Sequence, residues 1–199
     1  MTKQLKIGLT GSIGMGKSTT AQLFTEAGCE IWDADAAVHR LYGANGAAVG
    51  PIGKLLPRAI VDGAVSRDVL KQAIFDEPDV LKQIEEFVHP LVAQDRADFR
   101  AQAQADVLVF DIPLLFETGG DKTMDAVACV SVSADVQRER VLARGTMTPE
   151  QFEQILAKQM PIAEKRERSD YVIETDTVDH ARVQVARIMD DIKGKLTHA

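Results

Sequence analysis

Between residues 11 and 18 the chain reads Gly-Ser-Ile-Gly-Met-Gly-Lys-Ser, and no other stretch restricts the fold as tightly. Glycine, four residues, Gly-Lys and then a hydroxyl residue is the pattern of a turn whose backbone N–H groups curl around phosphate oxygens. Such a turn needs a β-strand before it and an α-helix after it, because the helix N-terminus adds free N–H groups and its dipole to the anion site. The flanks comply: Leu5, Ile7 and Leu9 make a short strand-like run, and residues 18–27 carry Ala21, Leu23 and Phe24 for burial on a helix. The spacing predicts a nucleoside triphosphate site, with Lys17 reaching the β and γ phosphates and the Ser18 hydroxyl serving a Mg²⁺ ion.

Charge sharpens that expectation. The 199-residue chain carries a net charge of −7, so it has no general attraction for a polyanion and needs a local basic patch to bind one. Residues 138–168 supply it: Arg138, Arg140, Arg144, Lys158, Lys165, Arg166 and Arg168 face only five acids, all glutamate. Arg140 and Arg144 are one helical turn apart and can address the same triphosphate. Arg138, Arg166 and Arg168 fit a solvated face paired with glutamates. Thr148-Pro149 opens a further helix after a turn at Gly145, giving a helical hairpin.

Other classes are disfavoured. No apolar run approaches the roughly 18 residues of a membrane span, and Met-Thr-Lys leads into a strand without a signal-peptide pattern. Cys29 and Cys129 sit among apolar residues with no metal-ligand spacing and read as buried free thiols. The expectation is a cytoplasmic protein of small-molecule partners, with no nucleic acid, membrane or obligate protein partner.

Carboxylates mark the strand ends. A second strand near residues 29–32 leads into Asp33-Ala-Asp35, at the edge where open α/β sheets bind ligands. Asp33 and Asp35 suit a base or a water ligand of Mg²⁺; the alternatives are a helix N-cap for Asp33 and a solvated first-turn acid for Asp35. Val107 to Asp111 is an apolar run ending in an acid, a central parallel strand whose Asp111 can hold a Mg²⁺ water shell, or else a turn acid. Residues 126–132 and 170–173 add two strands, and 181–195 an amphipathic terminal helix. Five strands alternating with helices predict an α/β, doubly wound parallel sheet.

Between the second and third strands, residues 43–68 are broken by Gly43, Gly46, Gly50, Pro51, Gly53 and Pro57, and read as loop with short helical pieces. Helical periodicity follows from 67 to 104, with Pro78 and Pro90 near helix starts and His89 either packed on the core or hydrogen-bonding. The expected division is a nucleotide-binding core (1–42, 105–137, 169–199), a helical acceptor-substrate domain (43–104) and a lid (138–168).

Together, Gly11 to Ser18, Asp33-Ala-Asp35, His89-Pro90, Asp111-Ile-Pro-Leu-Leu-Phe-Glu117, the Arg140 and Arg144 helix, Gln159 and Ser169-Asp170-Tyr-Val-Ile resemble the dephospho-CoA kinase family of P-loop kinases. The resemblance implies transfer of the ATP γ-phosphoryl group to the ribose 3′-hydroxyl of dephospho-CoA, the last step of coenzyme A synthesis. It implies catalytic roles for Asp33, Lys17 and Arg140. ATP would be bound by Gly11, Gly14, Met15, Gly16, Lys17, Ser18, Thr19 and Arg144, and Mg²⁺ held through Ser18 and the water shell of Asp111. Ser169, Thr175 and Met15 depart from residues common in the family, Ala, Asn and Ser respectively. A kinase of shikimate or a nucleoside monophosphate would share the phosphate loop and arginine lid. A nucleotide switch fits less well, because the only asparagine, Asn45, lies in no Asn-Lys-x-Asp motif.

Overall fold

The computed structural model describes residues 4–197. In chain order its main elements are β1 (Leu5–Thr10), α1 (Lys17–Glu26), β2 (Glu30–Asp33), α2 (Ala34–Tyr42), α3 (Val49–Leu55), β3 (Ile60–Val61), β4 (Ala64–Val65), α4 (Arg67–Asp76), α5 (Asp79–Gln102), β5 (Val107–Asp111), β6 (Ala126–Ser131), α6 (Ala134–Ala143), α7 (Pro149–Lys158), α8 (Ile162–Arg168), β7 (Tyr171–Glu174) and α9 (Val178–Thr197). They form two compact units, one running to Trp32 and resuming at Gln104, the other spanning Asp33–Ala103. Residues 1–3, where the sequence lacks a signal-peptide pattern, lie outside the described residues.

The first unit is built on a five-stranded sheet of order β2-β5-β1-β6-β7, as the alternating pattern predicts. β1 pairs in parallel with both β5 and β6, and β6 in parallel with β7. Every residue of β5 is buried, the reason this strand reads as an unbroken apolar run. Ile7, Leu9, Val109 and Val130 from the strands pack with Leu23 and Phe24 of α1 and Val185, Ile188 and Ile192 of α9. Cys29 lies in the same cluster with its Sγ 3.5 Å from Met189 Sδ. Burial pushes the thiols of both Cys29 and Cys129 up to about 11, so they behave as small core hydrophobes.

The second unit has its own core of Leu41, Ile52, Val65, Leu70, Ile84 and Val88. α2 belongs to this unit, burying Leu41 in its core and pairing Arg40 with Asp95 of α5 at 2.6 Å. Two local expectations are corrected. Residues 60–65 form a hairpin, β3 against β4, turned at Asp62-Gly63 with φ of 49° and 76°, the left-handed pair that Asp-Gly favours. Pro90 starts no helix: α5 runs unbroken from Asp79 to Gln102 with Pro90 inside it. One missing N–H is outweighed there because Val80, Ile84 and Val88 on one side and Leu91 and Val92 on the other keep a single face on the core. His89 is exposed on that helix.

Candidate active site

The register of the sheet assembles the site. Leu9 of β1 lies opposite Asp111 of β5, so the loop leaving β1 starts beside the carboxylate that ends β5. α1 then begins at Lys17 with Gly16 as its cap, and the Lys17 ammonium donates to Asp111 Oδ1 in a close ion pair. Asp111 is 1% exposed, and a carboxylate so buried would be costly without a paired cation. Ser18 and Thr19 are exposed on the first turn of α1, whereas Thr20 turns inward and donates to Gly16 O at 3.1 Å.

The loop backbone is tied at several points. Gly14 and Gly16 have φ of 77° and 81°, and a Cβ on Gly14 would lie 2.4 Å from Val141 Cγ2; side chains are excluded on both grounds. Met15 is buried in the core cluster, so its side chain is spent on packing and only its backbone belongs to the surface of the loop. Three side chains grip the loop: Gln137 Nε2 donates to Ile13 O at 2.7 Å, Gln159 Oε1 accepts from Ile13 N at 3.3 Å, and Thr175 Oγ1 donates to Met15 O at 2.8 Å. Gln137 and Thr175 were not singled out as site residues from sequence.

Beside the loop lies a cavity of about 420 Å³ lined by Gly14, Gly16, Thr19, Arg140, Arg144 and residues 175–178. It brings the basic pair of α6 and the phosphate loop onto one space, as the charge pattern predicts. Arg140 is fixed by hydrogen bonds to Thr175 O at 2.8 Å and Asp176 O at 3.1 Å. Arg144, the C-cap of α6, is exposed. The other arginines are on solvated faces: Arg138 pairs with Glu153 at 2.5 Å, and Arg168 with Glu164 at 3.7 Å.

Lys165 breaks that pattern. Its side chain is fully buried and bonds Glu117 Oε1 at 2.9 Å and Pro113 O at 3.0 Å. Glu117 Oε1 also accepts from Met160 N at 2.9 Å. Burial alone would raise the Glu117 carboxyl, but the bonds from Lys165 and Met160 outweigh it and leave its pKa below the ordinary carboxylate value. This network ties the segment leaving β5 to the start of α8. In the second unit Asp33 caps α2, its Oδ1 accepting from Ala36 N at 2.8 Å, and Asp35 is an exposed first-turn acid.

A family model described as dephospho-CoA kinase matches residues 5–180. The chain belongs to the dephospho-CoA kinase family. A dephospho-CoA kinase of Ruegeria pomeroyi is 64% identical over 194 residues, 98% of each chain, and one of Jannaschia sp. is 55% identical over 94% of this chain and 96% of that protein. Among solved structures, TT1252 from Thermus thermophilus aligns with a TM-score of 0.84 at 30% identity, covering 94% of this chain and 96% of that one. The parallel sheet with its phosphate loop is thus the P-loop kinase fold of this family. Family membership does not favour shikimate or a nucleoside monophosphate as acceptor, and it places the chain among transferases and not nucleotide switches. Among the described residues no helix is long and apolar enough to cross a membrane.

Proposed function

We propose that the chain transfers the γ-phosphoryl group of ATP to the ribose 3′-hydroxyl of dephospho-CoA, giving coenzyme A and ADP. The observation that carries this reading is the phosphate loop opening onto the cavity of Arg140 and Arg144 in a chain 64% identical to a dephospho-CoA kinase. The nucleoside of ATP occupies that cavity, and its phosphates lie along the N–H groups of Gly14 to Ser18. Phosphoryl transfer through a loose transition state asks mainly for positioning and charge neutralisation. Lys17 exchanges part of its bond to Asp111 for the β and γ oxygens. Arg140 and Arg144, on the segment 138–168 that we read as a lid, cover the charge that develops and keep out water, which would otherwise accept the phosphoryl group.

Asp33 is the residue we assign to the acceptor hydroxyl, supported by its place as the last residue of β2 in the same sheet. Because little proton transfer is needed early in a loose transition state, its part is chiefly to orient the hydroxyl and then to take its proton. Residues 43–104 are the acceptor-binding domain in this reading. The residues also fit Mg²⁺. Asp111 is a buried carboxylate and Ser18 an exposed hydroxyl, hard oxygen donors suited to an ion that keeps several of its waters. Held by these two residues, the ion would supply positive charge to offset that of the phosphates. A cytoplasmic setting suits the two buried free thiols.

With Mg·ATP present, dephospho-CoA is expected to be phosphorylated at least about 10³-fold faster, in kcat/KM, than shikimate or AMP, a ratio typical of a site built to hydrogen-bond one acceptor. Comparable rates, or faster use of either alternative, would refute the acceptor assignment while leaving the nucleotide site in place.

A further inference from the structure

Gln137 is 4% exposed, an amide taken out of water on a helix whose Asp135, Arg138 and Glu139 are exposed. Such burial is costly unless the amide is satisfied, and its Nε2 spends that bond on one atom, Ile13 O of the phosphate loop. No peptide among the described residues is cis, and across a trans peptide the C=O and the following N–H point in opposite directions. Tying Ile13 C=O to Gln137 therefore turns the Gly14 N–H away from α6. The same holds one step on: Thr175 Oγ1 binds Met15 C=O, which turns the Gly16 N–H away from Thr175. Two alternate donors of the loop are thus aimed by side chains outside it.

The two clamps are joined. Gln137, Arg140 and Val141 share one face of α6: Val141 fills the space where Gly14 lacks a Cβ, and Arg140 binds the backbone carbonyl of Thr175. Gln159, from the segment after α7, accepts from the N–H of the same Ile13, so both peptide planes at this residue are held from outside the loop.

We infer that Gln137 is a positioning residue of the nucleotide site: by holding the Ile13 carbonyl it orients the loop N–H groups toward the β and γ phosphates of ATP, on the same helix that delivers Arg140. It touches no reacting atom. The inference rests on the reading of this loop as the triphosphate site.

The test uses the whole enzyme and compares two inhibitors competing with ATP: ADP, which engages the loop through its phosphates, and adenosine, which has none. Gln137→Met keeps the length and shape of the side chain without its donor. The inhibition constant of ADP is expected to rise about tenfold, the size of losing an aligned hydrogen bond to a charged group. That of adenosine should change less than about twofold. Gln137→Glu, which carries the same test should Gln137→Met not fold, lacks the donor while ionised. Its weak ADP binding at pH 8 should partly recover near pH 6, as a protonated carboxyl regains an O–H to donate. Equal weakening of ADP and adenosine would show a packing role only, and unchanged ADP binding would show no role; either overturns the inference. If the unaltered protein itself failed to bind ADP more tightly than adenosine, the triphosphate reading would fall, and this inference with it.

Discussion

Replacing Lys17 by Ala is expected to lower kcat/KM for ATP by about 10³, with both weaker ATP binding and slower turnover. α1 begins at Lys17, and the Lys17 ammonium lies against the buried Asp111 at the end of β5, within reach of whatever the loop holds. A single preorganised charge at a transferring phosphoryl group is worth about 10²–10³ in turnover, and the ground-state phosphates lose the same cation. Because the substitution also takes a cation from a buried carboxylate, it lowers stability. Steady-state kinetics must therefore be paired with a thermal melt, and measured well below the variant's transition. Full activity in a folded Lys17→Ala protein would remove the phosphate-loop assignment altogether.

Asp33→Asn is the second large effect, and it separates two roles that this carboxylate can hold. Asp33 caps α2 through Ala36 N, and asparagine caps a helix about as well as aspartate. The cap therefore survives the substitution while the charge does not. If Asp33 orients and finally deprotonates the acceptor hydroxyl, kcat falls by about 10² or more. The Kd for ATP and the melting temperature stay close to those of the unaltered protein. Asp33→Ala gives the complementary result, losing in addition about 1 kcal/mol of cap stability. Turnover near normal in Asp33→Asn would reduce Asp33 to its capping role and move the search for a base elsewhere.

The parts of this site that were legible in the sequence are those whose chemistry is written in consecutive residues. The loop from Gly11 to Ser18 needs its glycines where φ is positive or a neighbour leaves no room, and β5 ends in Asp111 after a run buried on both faces. Arg140 and Arg144 stood out because a basic segment is conspicuous in an acidic chain. What stayed hidden depends on partners far away along the chain. Lys165 sits between Glu164 and Arg166 with nothing local to mark it as buried, and only the fold brings Glu117 and Pro113 to it. Gln137 is one polar residue among many on α6, and nothing local says that it reaches Ile13. In the helical unit, strands as short as β3 and β4 fall below any readable period. The place of α2 in that unit is decided by Leu41 and the Arg40–Asp95 pair, not by any break near residue 43.

The most direct measurement identifies the product. After incubation of the enzyme with Mg·ATP and dephospho-CoA, phosphorus and proton NMR of the purified product should show one new phosphate monoester coupled to the ribose H3′, together with stoichiometric ADP. A monoester coupled to H2′, or ATP hydrolysis with dephospho-CoA left unchanged, would contradict the account.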